Sequence, residues 1–162
     1  MRKDDFFPFS DDKNAYWSGF YTSRPILKKF TREVSNLYHS SLRLYAMQML
    51  SATTSGEDLK EVMDAQLHAL DELGILQHHD AITGTCSTLV MNDYLNRLNT
   101  ARLNLHTMTS NLVSTYAEHK LGLNLTEVDF EDMLPHETHF LIENKYSEKE
   151  EFLVFIINPI GN

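Results

Sequence analysis

Six residues between positions 94 and 112 recur at alternating intervals of four and three, and this stripe constrains the fold more than any other feature of the sequence. The stripe consists of Tyr94, Leu98, Ala101, Leu105, Met108 and Leu112. Such spacing places every member on one face of an α-helix. We therefore predict a helix over about residues 86–121, ended by Gly122, with the stripe buried in a hydrophobic core.

Two earlier stretches also predict amphipathic helices. The first covers about residues 24–52, with Pro25 in its first turn, where a proline needs no hydrogen-bond partner. The second covers about residues 57–79, and its predicted core positions are Leu59, Met63, Gln66 or Leu67, Leu70 and Leu73. Three amphipathic helices with short connections predict a mainly α protein, an antiparallel three-helix bundle.

The two ends of the chain differ from this helical centre. Residues 1–23 are predicted to form an irregular arm, because they contain more aromatic residues than a disordered tail would. Residues 122–162 are predicted to form a linker followed by short β-strands, HFLIE and FLVFIIN. An apolar strand needs partner strands to cover its edges, so we expect the chain to be a piece of a longer protein.

Charge and hydropathy exclude several classes of partner. The net charge of -9 argues against nucleic acid, and no apolar run approaches the ~20 residues that cross a bilayer, so no membrane span is predicted. The first residues lack the apolar stretch of a signal peptide. The single cysteine, Cys86, excludes an internal disulfide and does not reveal the redox compartment.

The segment LQHHDAITGT, residues 76–85, places two histidines and an aspartate at the end of the second predicted helix. Imidazole and carboxylate groups are zinc ligands. Adjacent helical side chains point about 100° apart, so His78 and His79 are not expected to bind one metal together. From the residues alone, a solvated helix end and a ligand site that is completed from elsewhere both stay open.

Two stretches, DDFFPFSDDKNAYWSGFYTSRP (residues 4–25) and LQHHDAITGT, together resemble the central region of family 38 glycoside hydrolases, the zinc-dependent α-mannosidases. The resemblance covers about residues 4–120 and, more weakly, the tail. It implies that residues 1–23 leave a catalytic barrel and that residues 24–121 form the middle domain. Residues 122–162 would begin a β-rich C-terminal region.

The resemblance also implies roles for a few residues. His79 would supply one zinc ligand, Asp80 would accept hydrogen bonds from the bound mannose, and His78 would support them from beside the metal. Arg24 is expected to be structural rather than catalytic. The other zinc ligands, the nucleophile and the general acid belong to the barrel in this family, so we expect no catalytic residue in this fragment and no activity from it alone.

The implied cofactor is one zinc ion and the implied partners are α-mannoside glycans, the barrel and the β-rich domains. The family and a glycosylation motif at Asn124 favour the lysosome, the Golgi or another compartment of the secretory pathway. The alternative function is a non-catalytic three-helix module that docks to a partner through its aromatic arm. Sequence upstream of Met1 would distinguish the two.

Overall fold

A computed structural model describes residues 9–51 and 56–124. Its three long helices are α1 (Pro25–Ser51), α2 (Gly56–Ile75) and α3 (Thr88–Tyr116), and a short π-helical segment, Ala117–Leu121, continues α3. The prediction of three helices is confirmed, and the last helical segment is followed by Gly122 in the left-handed region, at φ 67°. The predicted C-terminal strands and the linker beyond residue 124 lie outside the described residues, as do residues 1–8.

Polar contacts between the helices reveal their relative directions. The Gln48 side chain near the end of α1 donates to the Leu112 carbonyl near the end of α3, so these two helices run the same way. Near the middle of α1, Ser41 accepts a 2.9 Å hydrogen bond from Gln66 of α2. Near the end of α2, Glu72 pairs with Arg97 in the first half of α3. Consecutive helices are therefore antiparallel, and each helix contacts the other two.

The core lies where the three helices meet. The stripe predicted on α3 is confirmed, since Leu98, Ala101, Leu105 and Leu112 are all buried. Near the end of α2 the buried cluster comprises Leu27, Val34, Leu73, Leu76, Ala81 and Leu98. Among the described residues, no helix combines the length and the hydropathy that would let it span a membrane.

The prediction for the buried face of α2 was wrong at Met63 and Leu70, which are about half exposed, whereas Ala65 and Ala69 are buried. Of the two alternatives Gln66 and Leu67, Gln66 is the buried residue and Leu67 is exposed. Small alanines allow the backbones to approach closely, and two polar residues then complete the inner face, because each has a partner on another helix. These are Gln66, bonded to Ser41, and Glu72, bonded to Arg97.

The N-terminal arm is irregular, as predicted, over the part that the structure describes. An isolated bridge joins Ser10 to Tyr16, and a 3-10 helix covers Ser18–Tyr21. The rings of Phe9 and Trp17 meet edge to face, with centroids 5.3 Å apart. Both rings are mostly exposed, so the arm presents aromatic surface to its surroundings.

Candidate metal and sugar site

The two histidines lie beyond the end of α2, in a series of turns that we call the HHD loop (residues 76–86). The prediction that the helix runs to residue 79 was wrong, because α2 ends at Ile75. From there the backbone bonds shorten from four-residue to three-residue spacing: Gln77 N–H donates to Gly74 (3.0 Å) and His78 N–H to Ile75 (3.0 Å). Tightened turns of this kind are common where a helix ends.

A glycine closes the HHD loop. Gly84 has φ 71° and its N–H donates to the Ala81 carbonyl at 2.9 Å, while Thr85 N–H reaches back to the Asp80 carbonyl at 3.2 Å. These two bonds form the Schellman arrangement that ends helical turns at a left-handed glycine. Cys86 N–H also donates to the Asp80 carbonyl, at 3.1 Å, so the backbone of Asp80 is held from two sides.

The HHD loop brings together the three side chains that the sequence singled out. The Nε2 atoms of His78 and His79 each lie 3.6 Å from Oδ2 of Asp80, and the two imidazole rings are 4.2 Å apart. The prediction that the two histidines point apart was wrong, because neither residue belongs to the helix. The side chain of His79 is 82% exposed and that of His78 is 46% exposed, so both are open to a ligand.

Asp80 is kept ionised by its neighbours. Its pKa is lowered below the ordinary range, first by the Thr85 hydroxyl, which donates to Oδ1 at 2.7 Å, and then by the positive charges of protonated His79 and His78. Partial desolvation acts in the opposite direction and does not prevail. The bond to Thr85 occupies Oδ1 and directs Oδ2 toward the histidines.

The start of α1 fastens the HHD loop to the bundle. Ser23 Oγ donates to the Gly84 carbonyl at 2.9 Å, and Lys28 Nζ donates to the Ile82 carbonyl at 2.7 Å. Arg24 Nη1 lies 2.9 Å from Cys86 Sγ, at the last residue of the loop. This contact is compatible with the structural role expected for Arg24, which stays a prediction. The fastening roles of Ser23 and Lys28 were not predicted, since nothing in the local pattern links them to a loop about 60 residues away.

The donor set suits one metal ion. Each of the three residues offers one ligand atom, and these atoms all lie within 4.8 Å of one another. Zinc bonds of about 2.0–2.2 Å in tetrahedral geometry imply separations between ligand atoms of roughly 3.4 Å. The 3.6 Å from each histidine nitrogen to Asp80 is close to that value. This is the one such group among residues 9–51 and 56–124, and its exposure leaves room for ligands from outside the loop.

Comparison with known proteins identifies the family of the chain. Residues 15–115, more than half of the chain, match the family described as "Alpha mannosidase middle domain". Alpha-mannosidase F of Dictyostelium discoideum is 34% identical over 98% of this chain, which corresponds to 16% of that protein. Alpha-mannosidase 2 of Drosophila melanogaster is 39% identical over 60% of the chain and 8% of its own length.

A third relative extends the match to nearly the whole chain. Lysosomal alpha-mannosidase of Mus musculus is 27% identical over 99% of this chain and 15% of the mouse protein. The chain thus spans less than a fifth of each of these relatives. On the extent of the family match, the chain belongs to the alpha-mannosidase middle-domain family, the central domain of family 38 glycoside hydrolases.

Proposed function

We propose that this chain is the segment of a zinc-dependent, retaining α-mannosidase that delivers His79 and Asp80 to the active site. His79 supplies one zinc ligand, Asp80 accepts hydrogen bonds from the hydroxyls of a terminal α-linked mannose, and His78 supports both. The observation that carries this proposal is the convergence of three ligand atoms on one side of a loop that is fastened to the bundle.

The exposure and charge of the three side chains support their separate roles. His79 is the more exposed histidine and so is the better placed to meet a metal held partly by another domain. His78 lies beside it and is less exposed, and it is suited to orient its neighbours. Asp80 is ionised, and an ionised carboxylate accepts stronger hydrogen bonds from hydroxyl groups than a neutral group does.

The chemistry divides between this loop and residues outside it. Zinc, when bound, supplies a positive charge and a template for two hydroxyls of the mannose ring, which favours the oxocarbenium-like transition state. Asp80 orients the ring through further hydroxyls. A retaining glycosidase also needs a nucleophile and an acid/base residue about 5 Å apart. The HHD loop contains one carboxylate, so we assign both of these roles to another domain of the enzyme.

The proposal for the cellular compartment rests on two observations. One relative is named as lysosomal, and Asn124, the first residue of an Asn-Leu-Thr glycosylation motif, is exposed. We propose a lysosomal or other secretory-pathway location. The exposed aromatic arm favours the alternative of a non-catalytic interaction module, in which the HHD loop would have no ligand.

The test compares the two histidines in the complete protein that contains this segment. We expect His79→Ala to lose most of its zinc and most of its activity on an aryl α-mannoside. His78→Ala should show a zinc affinity or activity about 10- to 100-fold lower, the usual effect of removing a residue that orients a metal ligand. His68→Ala is the control, because His68 is a histidine outside the HHD loop, on α2, where it pairs with Glu72. Metal analysis that finds equal zinc loss in both loop variants would refute the division of roles. Full zinc in His79→Ala would refute the metal site and favour the interaction module.

A further inference from the structure

Lys28 makes its two hydrogen bonds to backbone carbonyls at the junction between α1 and the HHD loop. Its Nζ atom lies 2.6 Å from the Ser23 oxygen and 2.7 Å from the Ile82 oxygen. Both distances are at the short end of the range for N–H···O bonds, as expected when the donor is charged. The ammonium group therefore joins two segments that lie 59 positions apart, Ser23 and Ile82 (82 − 23).

The place of Lys28 in its helix is electrostatically unfavourable. It lies at the fourth position of α1, counted from Pro25, where the positive end of the helix dipole disfavours a cation. It is also half-buried, and this desolvation lowers its pKa. A lysine in such a place needs compensating contacts, and the two carbonyls supply them.

The same junction is tightly packed around Gly84. A side-chain carbon added at Gly84 would lie 2.8 Å from the Ser23 oxygen, the atom that accepts from Lys28. Ser23 Oγ donates in turn to the Gly84 carbonyl. The backbone of the HHD loop thus packs directly against Ser23. Lys28 donates to Ser23 on one side of this contact and to Ile82 of the loop on the other.

We propose that Lys28 is a positioning residue for the candidate site: it holds the HHD loop against α1 so that His79 and Asp80 face one ligand. The Ile82 carbonyl is two residues from Asp80, so movement of this anchor is transmitted directly to the carboxylate. The proposal rests on the function proposed above for the site itself. Its direct consequence is that Lys28 holds the loop against α1, and this can be measured without metal or substrate.

The first experiment measures amide hydrogen exchange in the full 162-residue chain. The reporters are the amides of Thr85 and Cys86, which donate to Asp80, and the reference is the amide of Leu105 in the core of α3. Lys28→Met keeps the length of the side chain and removes its donors. Lys29→Met is the matched control, because Lys29 is exposed and pairs only with Glu33 among the contacts described for it.

We expect Lys28→Met to lower the protection of Thr85 and Cys86 by about tenfold, with Leu105 unchanged. Lys29→Met should leave all three amides as they are. Unchanged loop protection in Lys28→Met, or an equal loss in Lys29→Met, overturns the proposal. If Lys28→Met lowers protection at Leu105 as well, Lys28→Leu, which is shorter and also lacks donors, is judged by the same two criteria.

The second experiment separates this proposal from the proposed function. In the complete zinc-loaded protein, Lys28→Met should raise the zinc dissociation constant by about tenfold, and excess zinc should restore activity, which a general folding defect would not allow. An unchanged dissociation constant overturns the positioning role. Loss of loop protection together with full zinc retention in His79→Ala would instead refute the metal site while leaving Lys28 as the anchor of the loop.

Discussion

Asp80 is held in place by hydrogen bonds to its backbone as well as to its side chain. Its carbonyl accepts from the amides of Thr85 and Cys86, and its carboxylate accepts from the Thr85 hydroxyl. These contacts leave Oδ2 on the side of the histidines. The sequence pointed to these three residues, whereas their orientation was not predictable, because it arises from turns that follow α2 rather than from the helix itself.

Gly84 is the residue at which we expect the HHD loop to be least tolerant of change. Gly84→Ala should destabilise the chain by at least about 2 kcal/mol, since φ is positive and the new methyl group meets the Ser23 carbonyl. Urea unfolding followed by circular dichroism measures this loss.

Two other glycines serve as controls that separate the effect of the positive φ from the effect of the contact with Ser23. Gly122 shares the positive φ and has open space around it, so Gly122→Ala should cost only about 1 kcal/mol. Gly74 lies in α2 with nothing near it, and Gly74→Ala should stabilise the chain by about 0.4–1 kcal/mol. A cost for Gly84→Ala no larger than that for Gly122→Ala would show that the contact with Ser23 is loose.

At the scale of the elements, α3 was predictable and the inner face of α2 was not. The α3 stripe is apolar throughout apart from one tyrosine, so its period identifies the buried face directly. On α2 the inner face includes Gln66 and Glu72, whose partners lie on other helices. A pattern read along one helix cannot detect partners 25 positions away, so Gln66 and Leu67 stayed alternatives and the exposed Leu70 was assigned to the core.

The packing of α3 leads to a test with a matched control on the same helix. Leu105 is fully buried against Leu37, Ala69 and Ala101, whereas Leu103 is 51% exposed. Leu105→Ala should reduce the free energy of unfolding by about 2–5 kcal/mol, because it removes buried surface and leaves a cavity. Leu103→Ala should change it by less than about 1 kcal/mol. Equal effects in urea unfolding would mean that α3 packs through a different face.

At the scale of the whole molecule, we propose that the chain carries one part of a site. The matched relatives are at least about six times longer, and the HHD loop offers a single carboxylate. We expect the 162-residue chain to fold its helices, to hydrolyse no aryl α-mannoside and to bind zinc only weakly, since His79 is the one zinc ligand that we assign to it and catalytic zinc normally has three protein ligands. Calorimetric titration with zinc and an aryl α-mannoside assay test this. Submicromolar zinc binding at one ion per chain, or turnover that a chelator abolishes, would contradict it.

The anchor of the HHD loop has a consequence for how sequences of this kind can diverge. Lys28 binds carbonyl oxygens, and every amino acid carries one, whatever its side chain. Position 82 can therefore exchange its isoleucine for other apolar residues while the acceptor stays in place. If Lys28 anchors the loop as proposed, the tolerance is one-sided, because position 28 must keep a long cationic side chain. Libraries that vary the HHD loop can thus include other apolar residues at position 82 and should leave residue 28 untouched.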